Sequence, residues 1–236
     1  MENQENFSKA LTPNTIEVFD EVSKLDCIKE LYLCGGTSIA LQLNHRKSED
    51  LDFELIGISK TRPNFNFADI INEINSKFPN TKKEILGNDH FLLYIGNNVK
   101  LSFYRPENPV PYIRKEGFKY NNIKTPTLQE LLSMKLYVIT KRCVYRDYYD
   151  IYALLKSSCN LAEGIDYACR FSRYQIHSKS ILNSLLFVEQ IQKDSIFDTL
   201  DPIYKLENKE MKTFFENNIL EYKKEKDKKK RKGLRL

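Results

Sequence analysis

Two aspartates spaced two apart, Asp50 and Asp52, follow a glycine-led run, Gly35-Gly36-Thr37-Ser38, within one stretch that reads LYLCGGTSIALQLNHRKSEDLDFEL from Leu31 to Leu55. In a strand, residues two apart share a face, so Asp50 and Asp52 project together, with Glu54 further along. Paired glycines have no Cβ, so the backbone turns tightly there and approaches a ligand closely. A helix starting at Thr37 or Ser38 directs its unpaired N–H groups and the positive end of its dipole into that turn, which suits an anion such as phosphate. Two carboxylates beside a phosphate-shaped turn are what a divalent metal bridging triphosphate oxygens requires. The chemistry implied is nucleotidyl transfer. Each half also has a plainer reading, a tight turn and a solvated strand rim; their union in one unit, with Arg46 and Ser48 between them, is the specific signal.

The elements that must position these residues are a strand, a glycine turn, a helix and a second strand. Upstream, Thr12-Pro13 supplies an N-cap and a proline at the first helical position, and Ile16, Phe19, Val22 and Leu25 mark one apolar stripe. Downstream come a loop with Pro63, Asn64 and Asn66 and a short helix near Phe67 to Phe78. From Lys82 to Ile123 the pattern changes to strands, with a hairpin at Phe91 to Ile95, Gly96-Asn97-Asn98, and Val99 to Tyr104. Thr127-Leu128-Gln129-Glu130 is a capping box, which predicts a helix from Leu128 to about Arg142 with Leu131, Leu132, Leu136 and Ile139 inward and Lys135 and Lys141 on other faces.

A further helix is expected from Arg146, where Asp147 and Asp150 share one face and Tyr148, Ile151, Tyr152 and Leu155 form a core stripe. Its acids either pair with Arg142 and Arg146 or point into a cleft. Helices at Ile165 to Tyr174, Ser180 to Ile191 and Glu207 to Tyr222 follow, broken by Asp201-Pro202. Arg170, Arg173, Tyr174, His177 and Lys179 form a basic and aromatic cluster suited to RNA, or an ordinary helix surface.

Gly35-Gly36-Thr37, followed by His45-Arg46-Lys47-Ser48-Glu49-Asp50-Leu51-Asp52-Phe53, resembles the signature of the AbiEii/AbiGii toxin family. A second block, Met134-Lys135-Leu136, then Lys141-Arg142 and Arg146-Asp147-Tyr148-Tyr149-Asp150-Ile151-Tyr152, resembles that family's later motif. Together the two cover roughly residues 12 to 190. The resemblance implies a DNA polymerase β-type nucleotidyltransferase, often the toxin of a type IV toxin-antitoxin pair. It implies that Asp50 and Asp52 are catalytic and hold Mg²⁺ or Mn²⁺, and that Gly35, Gly36, Thr37, Ser38, Arg46 and Ser48 bind the nucleotide. Lys135 then neutralises phosphate charge, and Asp147 or Asp150 orients or deprotonates the acceptor. The partners implied are an NTP, an acceptor hydroxyl on RNA (tRNA) or a translation protein, and a cognate antitoxin. One departure stands out: Ser102, in Lys100-Leu101-Ser102-Phe103, occupies a position where related transferases carry a third acid, for which Glu54, Asp147 or Asp150 could compensate. The alternatives are a catalytically degenerate nucleotide-binding protein and an RNA-binding module.

The expected fold is α+β: an N-terminal nucleotidyltransferase domain with a mixed sheet over 1–125, a helical domain over 126–221 and a basic tail over 222–236. The 236 residues, 41% hydrophobic and 29% charged, suffice for a real core. No apolar run reaches a membrane span and the N-terminus lacks a signal pattern, which points to the cytoplasm. Five scattered cysteines without CxxC spacing indicate neither a disulfide framework nor zinc. The net charge of +5 is concentrated, because residues 222–235 carry +7 and the remainder about −2. Such a tail screens RNA phosphates or is simply a solvated, frayed helix end.

Overall fold

The computed structural model describes residues 7–55, 66–105, 116–171 and 176–233. Pro63 and Asn64 of the expected loop, and Arg173 and Tyr174 of the basic cluster, lie outside the described residues. The chain divides into two compact units, Met1–Leu131 with Asp198–Ile203, and Leu132–Phe197 with Tyr204–Leu236.

In the first unit, α1 (Pro13–Ser23) begins at the proline and buries Val18, Phe19 and Val22. Then come β1 (Tyr32–Cys34), α2 (Gly35–Leu43), β2 (Leu51–Glu54), α3 (Phe67–Lys77), β3 (Lys82–Gly87), β4 (His90–Ile95), β5 (Val99–Tyr104), β6 (Glu116–Tyr120) and β7 (Ile123–Pro126). Strands β1 to β5 form a mixed sheet in the order β1-β2-β5-β4-β3, and β6 and β7 form a hairpin. Strands β2 and β5 pair in parallel, with Asp52 opposite Ser102. The expected hairpin is β4 and β5, turning through Gly96 and Asn98, both at positive φ.

Alternation fixes which face of the sheet does what. On β2 Leu51 and Phe53 are buried, while Asp52 and Glu54 are half-buried. Phe53 stacks on Phe103 at 5.4 Å, Phe103 on Phe91 at 4.9 Å, and Phe67 of α3 meets Phe91 edge-on at 4.5 Å. Aromatic pairs of this kind contribute about 0.5–1.5 kcal/mol each beyond their buried area. The opposite face carries Asp52, Glu54, Lys100, Ser102 and His90 by strand parity.

The second unit is helical. Helix α4 (Leu128–Val138) starts in the first unit, where Glu130 accepts from the Thr127 N–H at 2.9 Å and hydroxyl at 2.8 Å. Then follow α5 (Tyr145–Lys156), α6 (Leu161–Phe171), α7 (Ser178–Leu186) and α8 (Asn208–Gly233). Helix α5 is buried on every side, as expected of a central helix. Tyr145 and Tyr149 both meet Phe197 at 4.9 Å, and Tyr152 meets Phe214 at 4.5 Å.

Several sequence expectations change; two bear on the site and the tail. Helix α2 begins at Gly35 rather than Thr37 or Ser38, so the glycines belong to its first turn. Helix α8 does not stop near Tyr222 but continues through the basic run to Gly233. Basic residues suit a helix C-terminus.

Candidate active site

The residue that sets the geometry of the acidic edge is Gly35. It has φ +66°, and a Cβ placed on it would lie 2.5 Å from the Asp52 carboxylate oxygen Oδ2. Only glycine both adopts that backbone and leaves the carboxylate its space. Cys34, paired with Asp52 across β1 and β2, precedes α2 and supplies no capping side chain, so the first-turn N–H groups at Gly35 and Gly36 keep their capacity for an acceptor. Gly35→Ala is expected to cost about 1–3 kcal/mol of stability from the strained φ. It should also weaken Mn²⁺ binding about tenfold by displacing Asp52, and isothermal calorimetry beside a melting curve measures both.

The loop between α2 and β2 is tied down. The Thr37 hydroxyl donates to the Asp50 carbonyl and lies 2.8 Å from the Ser48 hydroxyl. The Ser48 N–H donates to the Ala10 carbonyl at 2.9 Å, and the Thr15 hydroxyl to the Glu49 carbonyl at 2.7 Å. On the other side, residues Asp198–Ile203 return to this unit. Lys47 donates its N–H to the Leu200 carbonyl at 2.6 Å and its ammonium pairs with Asp201 at 2.6 Å. Thr37 and Ser48 thus fix the backbone that presents Asp50. Arg46 is buried and donates to the Lys47 carbonyl at 2.9 Å. The Ser38 hydroxyl is fully buried without a hydrogen-bond partner, a polar atom left for a ligand to satisfy.

Electrostatically the edge is acidic. Burial, with the Asp52 charge added, pushes the Glu54 carboxyl up to about 7. Cys34 is fully buried, and burial with the nearby Glu54 and Asp52 charges raises its thiol well above the usual range. Asp50 pairs with Lys100 at 2.7 Å, and Ser102 is hydrogen-bonded to His90 Nε2 at 3.1 Å. Among the described residues no group of three or more His, Cys, Asp or Glu is arranged to hold a metal by itself. Two carboxylates, a glycine cradle and a buried unsatisfied hydroxyl fit a Mg²⁺ or Mn²⁺ ion that takes its remaining oxygens from phosphate and water.

Lys135, Asp147 and Asp150 form a separate cluster in the second unit. Lys135 Nζ lies 2.7 Å from both Asp147 Oδ1 and Asp150 Oδ2, and all three are buried. Lys135 is therefore not on an open helix face, as the sequence suggested. Burial acts to raise the Asp147 pKa, but the Lys135 charge and the contacts with Arg142, at 2.8 Å, outweigh it and hold the carboxyl below its usual value. Arg146 pairs instead with Asp194, at 3.1 Å. Sequence reasoning passed over Lys100, although its place two residues before Ser102 on one strand puts it on the acidic face.

The profile of a family described as "Nucleotidyl transferase AbiEii toxin, Type IV TA system" matches residues 19–227. An uncharacterized protein of Aquifex aeolicus (strain VF5) is 22% identical over 209 residues, covering 87% of this chain and 94% of that protein. The crystal structure of a candidate nucleotidyltransferase from H. pylori shares the fold, with a TM-score of 0.53 and 16% identity over 92% of this chain and 98% of that one. MenT4, a nucleotidyltransferase toxin of Mycobacterium tuberculosis H37Rv, is more distant, with a TM-score of 0.49 and 14% identity over 89% of this chain and 82% of that one.

Proposed function

The chain belongs to the AbiEii nucleotidyltransferase toxin family, and on that premise we propose that it transfers a nucleoside monophosphate from an NTP to a hydroxyl of RNA, tRNA foremost, or of a translation protein. Membership implies an NTP substrate and a cognate antitoxin. The observation that carries the reading is the acidic edge of β2, where the missing side chain of Gly35 leaves room for the Asp52 carboxylate beside the α2 N-terminus.

In this reading Asp50 and Asp52 hold Mg²⁺ or Mn²⁺, which when bound supplies charge neutralisation to the triphosphate. The first-turn N–H groups of α2 and the Ser38 hydroxyl take phosphate oxygens, while Thr37 and Ser48 keep the Asp50 backbone in place. Arg46 adds positive charge to the same loop. The acceptor oxygen forms a bond to the α-phosphorus as the bond to pyrophosphate breaks, and the hydroxyl proton passes to a carboxylate, for which Asp147 and Asp150 are the candidates. Lys135 holds those two acids in the second unit. NTPs and tRNA place the reaction in the cytoplasm; no helix among the described residues is long and apolar enough to cross a membrane.

Helix α8 favours RNA as the acceptor. Ile219 reaches the core, and Lys223, Lys224, Lys226 and Lys228 beyond it are exposed, which suits a phosphate backbone. The test is incubation with each α-³²P-labelled NTP, Mg²⁺ and total tRNA. Label on RNA that fades steeply with salt is the expected result; label on protein alone moves the acceptor to a translation protein. NTP binding without transfer returns Ser102 to the foreground and makes the protein a nucleotide-binding relative of the transferases.

A further inference from the structure

We propose that Lys100 is a built-in counter-cation for the metal-binding carboxylates: it holds Asp50 while the cation is absent, then leaves Asp50 for the triphosphate when the cation and NTP arrive. The proposal rests on the nucleotidyltransferase reading above. It concerns a residue that neither motif contains.

Three observations support it. Lys100 lies on β5, two residues before Ser102, whose register partner on β2 is Asp52, so its side chain shares the acidic face. Its Nζ is 2.7 Å from Asp50 Oδ2, and the two side chains are 33% and 35% exposed. That intermediate exposure decides the matter. An ion pair sealed in the core would lose several kcal/mol on opening, by the order of buried pairs, whereas a fully exposed one would be screened to little. The third observation is the charge of the surroundings. Asp52 and Glu54 stand on the same face of the sheet as Lys100, so carboxylates gather on its side.

The exchange follows from charge density. A divalent cation bonds carboxylate oxygens directly and carries twice the charge of an ammonium, so it displaces Lys100 from Asp50. The NTP brings several negative charges with it, and the released ammonium, a compact point charge on a flexible stem, moves to a phosphate oxygen. Strand β5 is held between β2 and β4, so only side-chain torsions need change. No bond is made or broken; one ion pair replaces another.

The test uses full-length Lys100→Met and two equilibrium measurements of opposite expected sign. Titration with Mn²⁺ alone, followed by electron paramagnetic resonance, should give binding about two- to fivefold tighter than wild type, because the competing ammonium is gone. Binding of a non-transferable NTP analogue with Mg²⁺ should be about tenfold weaker or more, because the phosphate contact is gone. Lys124→Met removes the same charge from β7, where the ammonium lies 4.7 Å over the Tyr32 ring, and should change neither by more than about twofold. Lys100→Arg keeps the charge and should restore most of the nucleotide affinity without the gain for Mn²⁺, which separates the exchange from a folding defect. Shifts of the same sign, or an equal Mn²⁺ gain in Lys124→Met, overturn the exchange. If the wild type binds the analogue and Lys100→Met binds it equally, the exchange fails alone; if the wild type binds none, the transferase reading fails with it.

Discussion

Asp50→Ala and Asp52→Ala, singly or together, are expected to lower label transfer at least about 10³-fold, equivalent to about 4 kcal/mol of transition-state stabilisation. Asp52→Ala should leave the melting temperature unchanged or slightly raised, while Asp50→Ala, which removes the ion pair with Lys100, should lower it slightly. Both side chains are partly buried, and the Asp52 charge acts unfavourably on the neighbouring Glu54 carboxylate. A site that gathers like charges for a ligand gives up stability when the ligand is away. Single-turnover transfer measured beside thermal unfolding checks both halves. Transfer that survives in the double variant would remove Asp50 and Asp52 from the chemistry.

The second large effect is one of stability. Lys135→Met should destabilise the protein by about 3–5 kcal/mol, the usual consequence of removing one partner from a buried ion pair. For a chain of this length that is a fall in melting temperature of about 10 °C. Asp147 and Asp150 are 1% and 0% exposed and both face the Lys135 ammonium, so its loss leaves two carboxylates in the interior with less compensation. The triple variant Lys135→Met/Asp147→Asn/Asp150→Asn, which removes all three charges, should regain most of the lost stability. Its transfer activity is the informative readout: if the cluster serves the reaction, activity stays lost although the fold has returned, and if transfer returns with stability, the cluster only holds the second unit together.

What the sequence made legible follows periodicity and local chemistry. The hairpin of β4 and β5, the helix beginning at Pro13 and the box at Thr127 and Glu130 are written in turn residues, a proline and a reciprocal pair of polar side chains, each acting within a few residues. The alternation of β2 was readable because strand parity needs no tertiary information: Asp52 and Glu54 alternate with buried Leu51 and Phe53, while Asp50 precedes the strand. The burial of Lys135 was not readable, because a lysine on a helix looks solvated until two aspartates on another helix are known to face it. The return of Asp198–Ile203 to the first unit, where Leu200 and Asp201 hold Lys47, was equally hidden. Asp201-Pro202 announced a break in helix and nothing about where the chain goes. Lys100 lay between the two kinds, its face given by parity and its partner only by the fold.

The alternation along β2 has an evolutionary consequence. Leu51 and Phe53 seat the strand in the core by the same two-residue rhythm that presents Asp52 and Glu54 on the other face. A slip of one residue would turn the carboxylates into the hydrocarbon interior and the apolar side chains out to water. Correct pairing and a working active edge are therefore one selection criterion rather than two. Insertions or deletions inside this strand should be purged as loss of fold and loss of toxicity at once, while length changes are tolerated only in loops that do not set its phase.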